Sequence, residues 1–169
     1  MKLISFAVPS YNSQDYLSHC VETLLSGGED VEILIINDGS KDGTAAIADA
    51  YAARHPGIVR AIHKENGGHG SGVNRGLLEA KGLYYKVVDS DDWVDEVALK
   101  RLLDTIKIHR NENHLPDLYL TNFIYDHTYD STQFCRHWKR QFAPNAFHSW
   151  EDAGRFLGAQ VLLDRKSVV

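Results

Sequence analysis

Four apolar runs of strand length, each followed by a segment of helical period, fill the first half of the chain and limit what it can become. The runs are residues 3–8, 31–36, 58–62 and 83–88. Residues 31–36 are β-branched and nearly all apolar, which suits a strand covered on both faces. Between the first two runs, Tyr16, Leu17, Cys20, Val21, Leu24 and Leu25 recur at i, i+4 and i+8 in two adjacent rows. On a helix these rows form one continuous stripe, and Gly27-Gly28 stops it. Residues 44–53 are alanine-rich and end at His55-Pro56-Gly57, and residues 71–80 form a third helical segment entered through a glycine-rich loop. A fourth helix is expected over 97–110, with Leu99, Leu102, Leu103 and Ile106 on one face. Such units predict an α/β fold: a mostly parallel open sheet with right-handed crossovers and helices on both faces. Further on, residues 118–125 predict a strand, 126–130 a turn and 132–137 its partner.

Composition narrows the function. The chain has 169 residues, 43% hydrophobic and 24% charged, as a folded globular domain has and a disordered chain does not. With 18 Lys+Arg against 23 Asp+Glu, a net charge of −5, it lacks the basic balance of a nucleic-acid binder, so no nucleic-acid partner is expected. Pro9 ends the opening apolar run without a cleavage signal after it, and no run reaches the ~18 apolar residues of a membrane span. Cys20 and Cys135 form neither a metal pair nor a disulfide framework and read as free thiols of a reducing cytosol. The nine histidines show no ligand spacing and read as ordinary core or surface residues.

Ligands of open parallel sheets bind outside the carboxyl ends of the strands. Here those ends are polar: Pro9-Ser10-Tyr11-Asn12, Asn37-Asp38-Gly39-Ser40, His63-Lys64-Glu65-Asn66-Gly67-Gly68 and Asp89-Ser90-Asp91-Asp92. The topology brings all four to one rim. Crowded carboxylates repel unless a cation offsets them. On an extended segment, Asp89 and Asp91 can reach one hard divalent ion from the same side, and all-oxygen ligands suit Mg²⁺ or Mn²⁺. The competing reading is an Asx turn leading to a helix whose N-terminus Asp95 and Glu96 favour. Asp89, Asp91, Asp92, Asp95 and Glu96 account for the whole excess of acids over bases.

Two readings stay open at the other rims. Asp38 either opens the next helix or accepts a hydrogen bond from a base N–H, and Tyr11 either packs or stacks on a base. The glycines between Asn66 and Gly72 would let backbone N–H groups approach a phosphate. A dinucleotide fingerprint should instead follow the first strand, where Pro9-Ser10-Tyr11-Asn12 stands, and no G-x-x-x-x-G-K-[ST] loop occurs.

Taken in order, Val8-Pro9-Ser10-Tyr11-Asn12, Ile35-Ile36-Asn37-Asp38-Gly39-Ser40, Asp42-Gly43-Thr44, Asn66-Gly67-Gly68, Asn74-Arg75-Gly76 and Asp89-Ser90-Asp91-Asp92 form a specific combination. Over about residues 3–110 the chain resembles glycosyltransferase family 2, nucleotide-sugar transferases with a GT-A, Rossmann-like fold. The resemblance implies transfer of a sugar, usually from a UDP-sugar, to a saccharide, lipid-linked or other hydroxyl acceptor, with inversion and with Mn²⁺ or Mg²⁺. It implies that Pro9, Tyr11, Asp38, Asn66 and Asn74 serve nucleotide binding. Asp89 would lie near the ribose and metal-bound waters, and Asp91 would be the direct metal ligand. The implied setting is polysaccharide biosynthesis in the cytoplasm, with peripheral association at the inner face of the membrane through sequence outside this chain.

The resemblance has two departures. Val73 stands where the family often has a basic residue, a charge that Arg75 or Lys64 could supply. The family's catalytic base lies well downstream of the acidic motif. Glu151 and Asp152 are the only late carboxylate pair, and Ser149-Trp150-Glu151-Asp152 reads as a helix cap before Phe156-Leu157. The expectation is a donor-binding domain over 1–125 and an incomplete acceptor-side region over 126–169, truncated at the C-terminus, with the base beyond Val169. Such a piece would bind nucleotide and metal but transfer sugar poorly. Two rivals remain: a binding-only nucleotide-sugar module, and a sugar nucleotidyltransferase, which would want a glycine-rich, Arg-containing loop after the first strand.

Overall fold

The computed structural model describes residues 1–127, 132–138, 142–143, 145–149 and 151. Residues 1–115 form one compact unit, and a second begins at Pro116. In the first, β1 (Ile4–Ser10), β2 (Val31–Asp38), β3 (Val59–Lys64) and β4 (Tyr84–Val87) make a sheet of order β3-β2-β1-β4. Every pairing is parallel, with Ile4 opposite both Val31 and Tyr84. Between the strands run α1 (Leu17–Leu25), α2 (Thr44–Arg54) and α3 (His69–Glu79), and α4 (Glu96–Asn111) follows β4. The α/β reading is met.

β1 and β2 are buried along their whole length, as their apolar runs require of central strands. From β1 the chain steps through β2 to β3, then returns past both to β4. Right-handed crossovers put α3 on the face opposite α1 and α2. α3 lies on Pro9 and Ala7 of β1 through Gly72 and Gly76, where added Cβ atoms would stand 3.1 and 2.5 Å from the neighbouring Cβ atoms. This close approach explains why α3 begins at His69, two residues before the sequence-based start. Its glycines weaken helix propensity but permit the contact.

The α1 stripe is buried at Leu17, Cys20, Val21 and Leu24, whereas Tyr16 is an exposed residue at the helix entrance. α4 buries Leu99, Leu103 and Ile106, with Leu102 half-buried. Asp95 caps it by accepting from the Ala98 N–H at 2.7 Å. β4 pairs on one side only among the described residues, so its surface is less covered than its apolar run suggests.

In the second unit, β5 (Phe123–His127) and β6 (Thr132–Arg136) pair antiparallel, with Tyr125 opposite Phe134. Residues 118–122 are irregular, so the expected strand starts later, and Asp126 and His127 extend it rather than turn. Residues 128–130 of the expected turn lie outside the described residues, as do Trp150, Asp152, Phe156 and Leu157 of the expected cap. Among the described residues no helix is long and apolar enough to cross a membrane.

Candidate functional site

The strand order reverses at β1: β2 lies on one side and β4 on the other. In an open parallel sheet the loops leaving such a switch point diverge and leave a crevice. A cleft of about 500 Å³ opens there, lined by Pro9, Tyr11, Asp38, Asn66, Asp89 and Asp91 among others. All the sequence-derived candidates except Asn74 therefore converge. Asn74 lies further along α3, exposed and outside the lining.

Pro9 fits at the end of a central strand because the ladder to β4 has already ended at Ala7, opposite Val87. Its missing N–H would have pointed beyond that ladder. The next loop is tied to the one after β2. Asn12, at φ +50°, donates its N–H to Ser40 Oγ at 3.0 Å and accepts from Lys41 N at 2.9 Å. Ser13 N–H donates to Thr44 Oγ1 at 2.8 Å, and Asp42 Oδ1 accepts from Thr44 N at 3.0 Å. Asn12, Asp42 and Thr44 thus brace the loop that carries Tyr11, which stands half exposed at the cleft.

Asp38 is nearly inaccessible, with 4% of its side chain exposed. Its Oδ1 accepts from Lys64 Nζ and from Gly67 N–H at 3.0 Å, and its Oδ2 from Gly68 N–H at 2.8 Å. Burial alone would raise its carboxyl. The hydrogen bonds from Lys64, Gly67 and Gly68 outweigh burial and hold it below its ordinary value. Asn66 completes the arrangement, its Nδ2 donating to the Asp38 carbonyl at 3.0 Å. Asp38 thus organises the loop after β3 while facing the cleft.

The Asp89–Asp92 segment is a turn, closed by Asp92 N–H donating to the Asp89 carbonyl at 2.9 Å, rather than the extended segment expected. Asp89 and Asp91 still reach the same cleft. Ser90 Oγ and Ser13 Oγ, 2.8 Å apart, join this turn to the loop after β1. Burial, then the charges of Asp91 and Asp89, push the Asp92 carboxyl up, with Lys86 acting against them. Among the described residues no group of three or more His, Cys, Asp and Glu could hold a metal on protein ligands alone. Two carboxylates on one wall, repelling one another, fit an ion that uses one or two carboxylates and completes its shell with water and substrate phosphates.

His69 and Ser13 also line the cleft and escaped the sequence reading. His69 Nε2 lies 3.7 Å from Asp89 Oδ1 at the first turn of α3. Its position just after the glycine loop was the available signal, hidden among nine histidines without ligand spacing.

The family model described as Glycosyl transferase family 2 matches residues 5–168. The chain belongs to glycosyl transferase family 2. This family 2 chain is 40% identical over 103 residues to the uncharacterized glycosyltransferase EpsJ of Bacillus subtilis, covering 60% of this chain and 30% of EpsJ. It is 40% identical over 108 residues to the glycosyltransferase GlyG of Streptococcus pneumoniae, covering 63% of this chain and 36% of GlyG. It is similar to the crystal structure of S. aureus TarS 1-349 in complex with UDP at a TM-score of 0.57 and 30% identity, over 65% of this chain and 33% of that one. The GT-A expectation is met. The family 2 chain spans about a third of the length of these relatives.

Proposed function

We propose that the cleft binds a nucleotide-diphospho-sugar, a UDP-sugar first among them. The whole protein then transfers that sugar to an acceptor hydroxyl with inversion. One observation carries this reading: Tyr11, Asp38, Asp89 and Asp91, from the carboxyl ends of three different strands, line a single cleft at the switch point. Tyr11 offers a ring face for the base, and Asp38 an acceptor for a base N–H. Gly68 and His69 bring the N-terminus of α3 to the cleft, where the helix dipole favours the diphosphate.

Asp91, with Asp89 beside it, would hold Mn²⁺ or Mg²⁺. Bound there, the ion supplies positive charge to the departing diphosphate. The acceptor oxygen forms its bond to the anomeric carbon as the sugar–phosphate bond breaks, and a general base takes the hydroxyl proton. That base is assigned to sequence outside residues 1–169, so this chain alone binds donor and transfers weakly. The free thiols Cys20 and Cys135 suit a cytoplasmic setting. Calorimetry of UDP with and without Mn²⁺, repeated on Asp91→Ala, tests the reading. Binding strengthened by Mn²⁺ in the wild type and not in the variant is expected. Binding that ignores both the metal and the substitution overturns it.

A further inference from the structure

Positive charge is scarce in the cleft. Asp38, Asp89 and Asp91 line it, yet among the described residues no Lys or Arg does. Arg75 and Lys64, the two residues that could supply a charge beside Val73, are both engaged elsewhere. Arg75 reaches Glu79 Oε1 through Nη2 at 2.8 Å and through Nε at 3.1 Å. The Lys64 ammonium donates to Asp38 Oδ1 and to the Glu65 carbonyl. A diphosphate entering beside Asp89 and Asp91 adds further negative charge, and one divalent ion offsets only part of the total.

His69 is the one basic side chain that does line the cleft among the described residues. It is the first residue of α3 and directly follows Gly68, which turns the loop into the helix at a φ of +81°. Its Nε2 lies 3.7 Å from Asp89 Oδ1, too far for a hydrogen bond, and the side chain is 61% exposed. Among the described residues no hydrogen bond holds either ring nitrogen. An imidazole carries at least one N–H in either charge state, so this ring has a donor to offer. His69 does not complete a three-ligand metal group with Asp89 and Asp91, which leaves that donor to the ligand.

We propose that His69 is a diphosphate-binding residue of this chain, its imidazole N–H donating to a phosphate oxygen of the bound nucleotide from the α3 side of the cleft. This deepens the donor-binding reading and rests on it. The dipole of α3 favours an anion at the same place, so ring and helix act on one ligand. His69 then contributes to the hold on the phosphates alone. Uridine, which has none, gains nothing from it.

The test titrates UDP with Mn²⁺ into the wild type, His69→Ala and His69→Gln by calorimetry, all checked for folding by circular dichroism. Uridine is measured in each as a competitor of UDP, and Mn²⁺ is titrated without nucleotide. His69→Ala should weaken UDP binding about tenfold, the scale of one hydrogen bond to a charged group. His69→Gln, which keeps an N–H donor, should recover most of that loss. Uridine should bind all three proteins alike, and the affinity for Mn²⁺ alone should stay that of the wild type. Equal losses for uridine and UDP would make His69 a brace of the glycine loop and overturn the proposal. A parallel loss of Mn²⁺ affinity overturns it too, since His69 would then act on the ion. If the wild type binds UDP and His69→Ala binds it as well, this proposal alone is refuted. Failure of the wild type to bind UDP refutes the donor-binding reading, and this proposal with it.

Discussion

The backbone of Gly76 lies against Ala7: a Cβ on the glycine would stand 2.5 Å from the Ala7 Cβ and 3.0 Å from the Tyr85 hydroxyl oxygen. Two effects compete in Gly76→Ala. Helix propensity favours alanine by about 1 kcal/mol, while overpacking costs about 1–3 kcal/mol. The obstacle is Ala7, fixed in a buried central strand that is paired on both sides, so overpacking should win. A net loss of about 1 kcal/mol in urea unfolding is expected. A variant as stable as the wild type would mean that α3 lifts off the sheet at no cost.

Glu32 is a charged residue inside β2 with only 4% exposure. Its Oε1 accepts from Ser5 Oγ at 2.5 Å, from Lys81 N–H and from Gly82 N–H at 3.1 Å. It anchors the connection between α3 and β4 beneath the sheet. Glu32→Ala leaves those donors short of an acceptor and should cost on the order of 3 kcal/mol. Glu32→Gln keeps one acceptor oxygen and should lose less. Denaturant midpoints of the two variants measure the difference.

Glu32 and Gly76 also show where sequence reading succeeds and where it stops. Strands and helices were legible because their apolar periods differ, and the polar strand ends because the topology sends them to one edge. Glu32 looked like a polar interruption of an apolar run, since its partners Lys81 and Gly82 lie far along the chain. The glycines of α3 delayed its expected start, because propensity is local and the contact with β1 is not. Asp89 and Asp91 were found through their crowding, yet their turn was missed because it depends on one backbone hydrogen bond within the segment. Lys64 entered only as a possible substitute charge, and its bond to Asp38 emerges when β2 and β3 lie side by side.

Tyr11 keeps half of its surface exposed at the cleft while the loop around it is tied to Ser40, Lys41 and Thr44. A ring held this way is ready to stack on a base without first being ordered. Tyr11→Ala should weaken UDP binding about 10–100-fold, the scale of one aromatic–base stack. Tyr11→Phe keeps the ring and should bind close to wild type. Equal losses in the two variants would assign the effect to the hydroxyl instead.

Cys20 lies beneath the acidic turn, its thiol donating to the Asp89 carbonyl at 3.6 Å. Burial, then the charges of Asp92, Asp91 and Asp89, push the thiol from 9.0 up to about 12. A higher value lowers the reactive thiolate fraction, so Cys20 should react far more slowly than an ordinary thiol near neutral pH. Half-buried Cys135 serves as the internal comparison. Mass spectrometry after brief thiol labelling should find the label on Cys135 and none on Cys20 until denaturant is added. Comparable labelling of both in the native protein would contradict the burial of α1 on the acidic turn.

Asp38 gives the fold a pH dependence with a definite sign. Its carboxyl is held below the ordinary 3.8 in the folded protein. The unfolded chain therefore binds more protons in the interval between the two values, and stability rises with pH across it. The contribution is complete above about pH 5 and is lost as pH falls through the folded-state value. Asp38→Asn keeps an acceptor for a glycine N–H but gives up the charge that Lys64 pairs with. It should be less stable than the wild type by about 2 kcal/mol at neutral pH. The gap should close as pH falls through the folded-state value of Asp38, below which both side chains are neutral. A gap of constant size down to that pH would trace the loss to the shape of the amide and not to the charge facing Lys64.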